Sequence, residues 1–142
     1  MKISAKTDYA CRALLELSLH WPKSEPLPIH AIAQKQKIPI KFLIHIMIQL
    51  KQLGHVDSIR GKTGGYVLTK PPKEIILSDV IKGFAEMQFK PRKKPIKSAK
   101  ADIFQSIWQE ADFVLINFLG NINFNDLVQK DHSLANIAMY TI

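Results

Sequence analysis

Residues Ser58 to Thr69 read SIRGKTGGYVLT, two β-rich runs closed around three glycines. No other stretch limits the fold as much. Val56–Ile59 and Tyr66–Thr69 carry strand-forming residues, and the turn between them has the composition of a hairpin. Gly61, Gly64 and Gly65 permit positive φ and leave a slim tip. Gly61-Lys62-Thr63 also resembles the end of a phosphate-cradling loop, but that alternative fails twice. Such a loop needs a glycine at position 56, where Val56 stands, and a helix after the Lys-Thr pair, where Gly-Gly-Tyr-Val-Leu is strand-like.

The residues before the hairpin predict three helices. Thr7 and Asp8 are good helix starters, and Ala10, Ala13, Leu14 and Leu17 follow at helical spacing. Asp8, Arg12 and Glu16 lie four apart and can pair in sequence. Trp21-Pro22 ends this helix, and Pro26–Ile29 is a short extended piece able to pair as a strand. His30–Gln36 forms a second helix, and Lys37-Ile38 is the turn. Pro39 suits the first turn of a third helix, which runs to Leu53 and is closed by Gly54. Its core stripe is drawn through Leu43, Ile46, Met47, Leu50 and Leu53. Two helices joined by a short turn, with a third before them and a hairpin after, make a winged helix-turn-helix. Pro71-Pro72 breaks the chain, and Ser78 caps a fourth helix from Asp79 to about Ala85.

The C-terminal part has a different character. Residues 90–98, KPRKKPIKS, are too polar and proline-rich to fold alone. A long helix starts near Ser98 and ends at Gly120. Phe104, Ile107, Ala111, Val114 and Phe118 alternate +3, +4, +3, +4, a heptad seam. Ile103, Trp108, Leu115 and Leu119 widen the apolar surface. One side is expected to pack on the chain's own winged domain. The other is expected to meet the same helix of a second copy, giving a homodimer. Asn125–Val128 reads as a short closing helix. The predicted fold is therefore mainly α with a small β-hairpin. Its parts are a winged helix-turn-helix domain (1–85), a basic loop (86–98), and a dimerisation helix with a short C-terminal helix (99–142).

The net charge of +8 is unevenly spread. Residues 1–85 hold 13 Lys and Arg against 6 Asp and Glu, a balance of +7, whereas residues 86–142 hold 7 against 6. A basic N-terminal domain fits a polyanion partner, here double-stranded DNA. A slim tip can enter the minor groove, about 6 Å wide, and Arg60 can sit in a narrow, electronegative groove. Lys62 and Thr63, with the thin Gly64-Gly65 backbone, can touch phosphate. On the third helix, Lys41, His45, Lys51 and Gln52 face outward, with Lys41 and His45 leading major-groove contact. Lys6, Thr7 and Tyr9 of the first helix are candidates for phosphate anchoring.

No run of roughly 18 apolar residues predicts a membrane span, and Met1–Lys6 does not read as a signal peptide. With Cys11 as the one cysteine, no internal disulfide or cysteine-rich metal site is possible, and a reducing cytosol is the expected compartment. No cofactor is predicted. His20, His30, His45, His55 and His132 show no metal-ligand spacing and are read as surface or helix-end residues. Cys11, mid-helix beside core positions, reads as a small buried hydrophobe. No paired-carboxylate or Ser/His/Asp arrangement is present, so the chain is not read as an enzyme.

Taken together, these pieces resemble the Rrf2 family of bacterial transcription regulators, over nearly the whole chain. The resemblance is carried by Lys6-Thr-Asp-Tyr-Ala10 with Arg12-Ala-Leu-Leu15, by Ile29–Gln34, and by Leu50-Lys-Gln-Leu-Gly54. The wing Ile59–Tyr66, the segment Pro71–Ile81 and the tail Ile122–Leu127 extend it. It implies a winged-helix homodimer on a palindromic operator, with the third helix in the major groove and the wing in the minor groove, and a repressor as the expected mode. Many members hold an iron–sulfur cluster through three cysteines before the dimer helix. Between Glu86 and Ala101 this chain has none, and such clusters need thiolates, so a cluster of that type is not expected. Asp8 lies where some members offer an acidic ligand, and it is read here as a helix-start residue paired with Arg12.

The third helix also departs from the family pattern, which begins with Ser and contains Tyr-Leu-Glu-Gln. Here Pro39 and Phe42-Leu-Ile-His45 stand instead. Ile44 replaces a carboxylate able to accept from cytosine, and His45 replaces an amide able to pair with adenine. Ile40, Ile44 and Ile48 form an apolar row with two open uses: contact with thymine methyls, or burial against a protein partner. The basic loop has two open uses as well, phosphate contact or a solvated substitute for a cluster loop. The alternative function is thus a winged-helix interaction module that has lost sequence-specific DNA binding.

Overall fold

The computed structural model describes residues 2–22, 25–84 and 102–140. The basic loop 86–98 and both predicted ends next to it, Ala85 and Ser98, lie outside the described residues.

Helix α1 spans Ala5–Leu19. Its cap is Ser4, one turn earlier than Thr7-Asp8 suggested. The Ser4 hydroxyl accepts from the Thr7 amide at 3.2 Å, satisfying a donor that the helix start leaves open. Asp8 then lies within the first turn and pairs with Arg12 at 2.7 Å. Arg12 does not continue the chain of pairs to Glu16. The Glu16 carboxylate is buried, accepts from Gln36 Nε2 at 2.8 Å and lies 3.4 Å from His20. Ala10, Ala13, Leu14 and Leu17 are buried as the periodicity predicts.

Leu27 forms a single antiparallel bridge with Tyr66, both N–H···O distances being 2.9 Å. Leu27 makes both bonds of the pair, the next ladder positions would be Glu25 and Ile29, and Ile29 already begins the following helix, so the pairing does not spread into a strand. Helix α2, Ile29–Gln36, ends at Lys37 in the left-handed region (φ 54°). Helix α3, Ile40–Gln52, follows with Pro39 at its cap position and no side-chain cap. The Pro39 carbonyl accepts from Phe42 and Leu43 at 3.1 Å. Leu53 is the C-cap and remains 41% exposed. The core stripe of α3 is thus Leu43, Ile46, Met47 and Leu50 without Leu53, which has turned towards Gly83 of the next helix.

Strands β1 (Val56–Ile59) and β2 (Gly65–Leu68) pair antiparallel, with Val56 opposite Leu68 and Ile59 opposite Gly65. Of the three hairpin glycines only Gly61 has positive φ (123°). Gly64 and Gly65 are required for close approach. A Cβ on Gly64 would stand 2.4 Å from the Ile59 carbonyl oxygen, and one on Gly65 would stand 2.3 Å from that of Leu27.

After a 3-10 turn at Pro72–Glu74, α4 runs from Leu77 to Phe84. Ser78 is buried inside this helix and does not cap it; the Ile76 carbonyl receives the Asp79 and Val80 amides. Helix α5, Ile103–Gly120, is capped by Asp102, whose Oδ1 accepts from Phe104 N at 3.0 Å. The short closing helix is in fact long: α6 spans Phe124–Tyr140. Its start is a reciprocal cap, with Asp126 N donating to Asn123 Oδ1 at 2.9 Å and Asn123 N to Asp126 Oδ2 at 3.1 Å. No Gly or Pro follows Phe124 to stop the helix.

The core joins α1, α2, α3, the hairpin, α4 and the first residue of α6. Leu14, Ile32, Leu43, Met47, Leu50, Ile75, Val80 and Phe124 are all fully buried. Helix α1 packs against α2, α3, α4 and α6. By contrast α5 packs on α4 and buries only Leu119 near its end. The expected burial of one α5 side on the winged domain does not occur along most of its length.

Candidate nucleic-acid interface

On α3 the buried side is set by Leu43, Ile46, Met47 and Leu50. The opposite stripe is Lys41, His45, Ile48 and Gln52, spaced +4, +3, +4, and every one of them is exposed. Lys41 and His45 therefore lie where the sequence suggested. The isoleucine row is unevenly exposed. Ile40 is half-buried, Ile44 is 44% exposed, and Ile48, at 48%, sits in the centre of the polar stripe. Gln49 points elsewhere, donating to the Gly83 carbonyl at 3.4 Å.

Lys51 Nζ donates to Ser58 Oγ at 2.7 Å, an exposed bond from the end of α3 to β1. It makes the outer surfaces of α3 and the wing continuous. At the wing tip Arg60, Lys62 and Thr63 are exposed. Gly64 N donates to Gly61 O at 3.0 Å, closing the turn. Gly65 and Tyr66 are held against Leu27, so the wing root is braced by the segment that enters α2.

The three α1 candidates separate. Lys6 is exposed, with its ammonium 5.9 Å from the centre of the Phe84 ring. Tyr9 is half-buried, its ring 6.4 Å from that of Phe42. Thr7 is a correction: it is fully buried, its hydroxyl 3.0 Å from Ser4 Oγ, and its side chain is closed to phosphate. Phe42 is 60% exposed on α3, and its position one residue before Leu43 and four before Ile46 is the sequence signal that sets it off the core stripe.

The seam residues Phe104, Ile107, Val114 and Phe118 are 48–63% exposed, and Ala111 is exposed with them. Ile107, Glu110, Ala111, Val114, Leu115 and Phe118 line a shallow groove along α5.

Cys11 is half-buried. Burial, with Asp8 adding to it, pushes its thiol up to about 12, so thiolate chemistry at neutral pH is closed to it. Among the described residues no group of three His, Cys, Asp or Glu is placed to hold a metal. The donor set does not fit an iron–sulfur cluster of the thiolate type.

His55 is a further correction, since it is buried at the α3–β1 junction and its Nδ1 has no partner. Desolvation holds its pKa below the usual 6.5; Lys70 pushes the same way and Asp79 opposes. The unfolded chain therefore takes the proton first as pH falls. The contribution of His55 to stability is intact above about pH 6.5 and declines below it. Urea unfolding at pH 7.5 and 5.5 should show a smaller loss of midpoint for His55→Leu than for the unaltered protein.

A helix-turn-helix with an exposed polar stripe on its second helix, continuous with a thin basic wing, defines a winged-helix DNA-binding protein. The model of the Rrf2 family, described as iron-dependent transcriptional regulators, matches residues 3–130. The chain belongs to that family, and it is a DNA-binding transcription regulator, not an enzyme. It is 30% identical over 137 residues to the HTH-type transcriptional regulator IscR of Pectobacterium atrosepticum, covering 94% of this chain and 83% of the relative. Among solved structures, CymR, the global cysteine regulator of B. subtilis, superposes with a TM-score of 0.78 at 25% identity, covering 92% of this chain and 98% of CymR. The IscR of T. potens shares the fold with a TM-score of 0.76 at 24% identity, over 92% and 88% of the two chains. Among the described residues no helix is long and apolar enough to cross a membrane.

Proposed function

We propose that the protein is a homodimeric repressor that occupies a palindromic operator and works without a family-type iron–sulfur cluster. Residues 1–85 bind DNA and 99–142 dimerise, with the basic segment 86–98 between them in sequence. Lys41 and His45 lead contact in the major groove. The wing lies in the minor groove with Arg60 inserted and Lys62, Thr63, Gly64 and Gly65 along the backbone. Lys6 and Tyr9 flank on the phosphates. Its place is the bacterial cytoplasm, on the nucleoid.

The observation that carries this reading is the thin wing tip. It exposes Arg60 and Lys62 and is joined through Lys51 and Ser58 to the outward side of α3. Absence of a cluster is supported by the donor set: one cysteine in the whole chain, held as a thiol on α1.

Arg60→Ala is expected to weaken operator binding by roughly 1–3 kcal/mol and to reduce the salt slope by about one. Fluorescence anisotropy titrations between 50 and 200 mM salt measure both at once; equal affinity of the two proteins removes the wing from the reading. The exposed Ile44 and Ile48 favour a second reading, a module that docks a protein through Ile40, Ile44 and Ile48. Such an apolar contact would hold its affinity across that salt range, whereas DNA binding would fall steeply.

A further inference from the structure

We propose that the outward face of α3 reads pyrimidine C5-methyl groups, with Ile48 as the residue that decides specificity, so that the half-site beneath it is rich in thymine. This rests on the reading above that α3 enters the major groove.

The argument begins with position. Ile48 stands at the middle of the outward stripe, between His45 and Gln52, and not on the flank of the helix. Ile44 and Phe42 lie to either side of that stripe, both exposed. A helix seated in the major groove presses its central outward residues on base edges. The apolar group a base pair offers there is the C5-methyl of thymine; the other edge groups are donors and acceptors. Pressed against those polar edges, Ile48 would strip water from them without replacing its hydrogen bonds.

The polar inventory of α3 agrees. Its sequence, IKFLIHIMIQLKQ, holds no Arg, Asn, Asp or Glu. The carboxylates that accept from cytosine are missing, and of the guanine readers only lysine is present, without arginine's rigid fork. Lys41, His45 and Gln52 are left as hydrogen-bonding partners around an apolar centre.

Charge identifies the occupant of this face. Between Pro26 and Lys73 the chain carries eight Lys and Arg and a single acid, Asp57. An exposed isoleucine on a surface that also carries exposed Lys41, Lys51, Arg60 and Lys62 is complementary to a polyanion that also presents methyl groups. A duplex rich in thymine does both. A duplex carrying 5-methylcytosine offers the same methyl and must be separated by experiment.

The test uses the full-length protein and a duplex selected by it from a randomised library. Each thymine of the half-site is then replaced by deoxyuridine, which removes the methyl and nothing else. One or two positions per half-site should bind about fourfold more weakly, the worth of one buried methyl group. Ile48→Ala, an exposed change that circular dichroism can certify as folded, should bind the thymine and deoxyuridine duplexes alike at one of those positions. Deoxyuridine duplexes bound within twofold of the parent, or sensitivity that survives in Ile48→Ala, would overturn the inference while leaving DNA binding intact. A separate arm replaces cytosine by 5-methylcytosine. A gain there with no deoxyuridine effect assigns the methyl to modified cytosine and overturns the thymine assignment. If no duplex is enriched and no binding weakens with salt, the DNA reading and this inference fall together.

Discussion

Val114→Asp is expected to convert the protein to a monomer and to weaken operator binding by a factor of roughly 10²–10⁴. Val114 is 59% exposed in the single chain, so the change itself should not unfold the domain. It lies on the seam that runs through Phe104, Ile107, Ala111, Val114 and Phe118, and among the residues that line the α5 groove. A carboxylate there would be carried into an apolar contact with no cation on the seam to pair it, and burying an unpaired charge costs several kcal/mol. Two DNA-binding domains joined by one interface bind the second half-site at high effective concentration. A monomer loses that advantage with no change in its own contacts. Sedimentation velocity at micromolar concentration and an operator titration give the two readouts. If the variant sediments as the unaltered protein does, the proposal of a dimer formed through this seam fails.

Phe124→Ala is expected to cost about 3–5 kcal/mol of stability. Phe124 is fully buried and belongs to the same core as Leu14, Leu43 and Ile75. Its amide donates to the Ile75 carbonyl at 3.0 Å, and Leu77 N donates to Ile122 O at 2.9 Å beside it. This pair of bonds fastens the α5–α6 junction to the start of α4. The cavity left by the ring would open where the C-terminal helices meet the winged domain. Domains of this kind are stable by only about 5–15 kcal/mol, so the loss is a large share. Urea unfolding measures it. A loss below about 1 kcal/mol would mean that the site collapses fully on removal of the ring, and that Phe124 is not the anchor proposed.

The helix-turn-helix was legible because its signals are local. The stripe Leu43, Ile46, Met47, Leu50 repeats at helical spacing, and all four are buried. The hairpin was legible because glycine and β-rich runs alternate over a dozen residues. Cap positions were less so. Ser4 and Thr7 can both cap a helix, and the choice fell to Ser4 because Thr7 packs into the core. Ser78 failed as a cap because the carbonyl of Ile76, fixed by its bridge to Asn123, already holds the first amides of α4. The length of α6 was in the sequence all along, in the absence of any Gly or Pro after Phe124, though Leu134, Ile137 and Met139 stay exposed on it.

By itself, then, the sequence determined the elements and their order: helices from apolar periodicity, a thin wing from glycine, and a basic N-terminal domain from its charge. Tertiary structure decided which side chains those elements present. It buried Thr7 and His55, left Leu53 and Phe42 outside, and set Ile48 among Lys41, His45 and Gln52. It also showed that Gly65 is needed for the approach of Leu27, 38 residues earlier in the chain, and not for its φ. The physical reason is range. Periodicity, capping and turn chemistry act within a few residues, whereas burial depends on neighbours brought close from far along the chain.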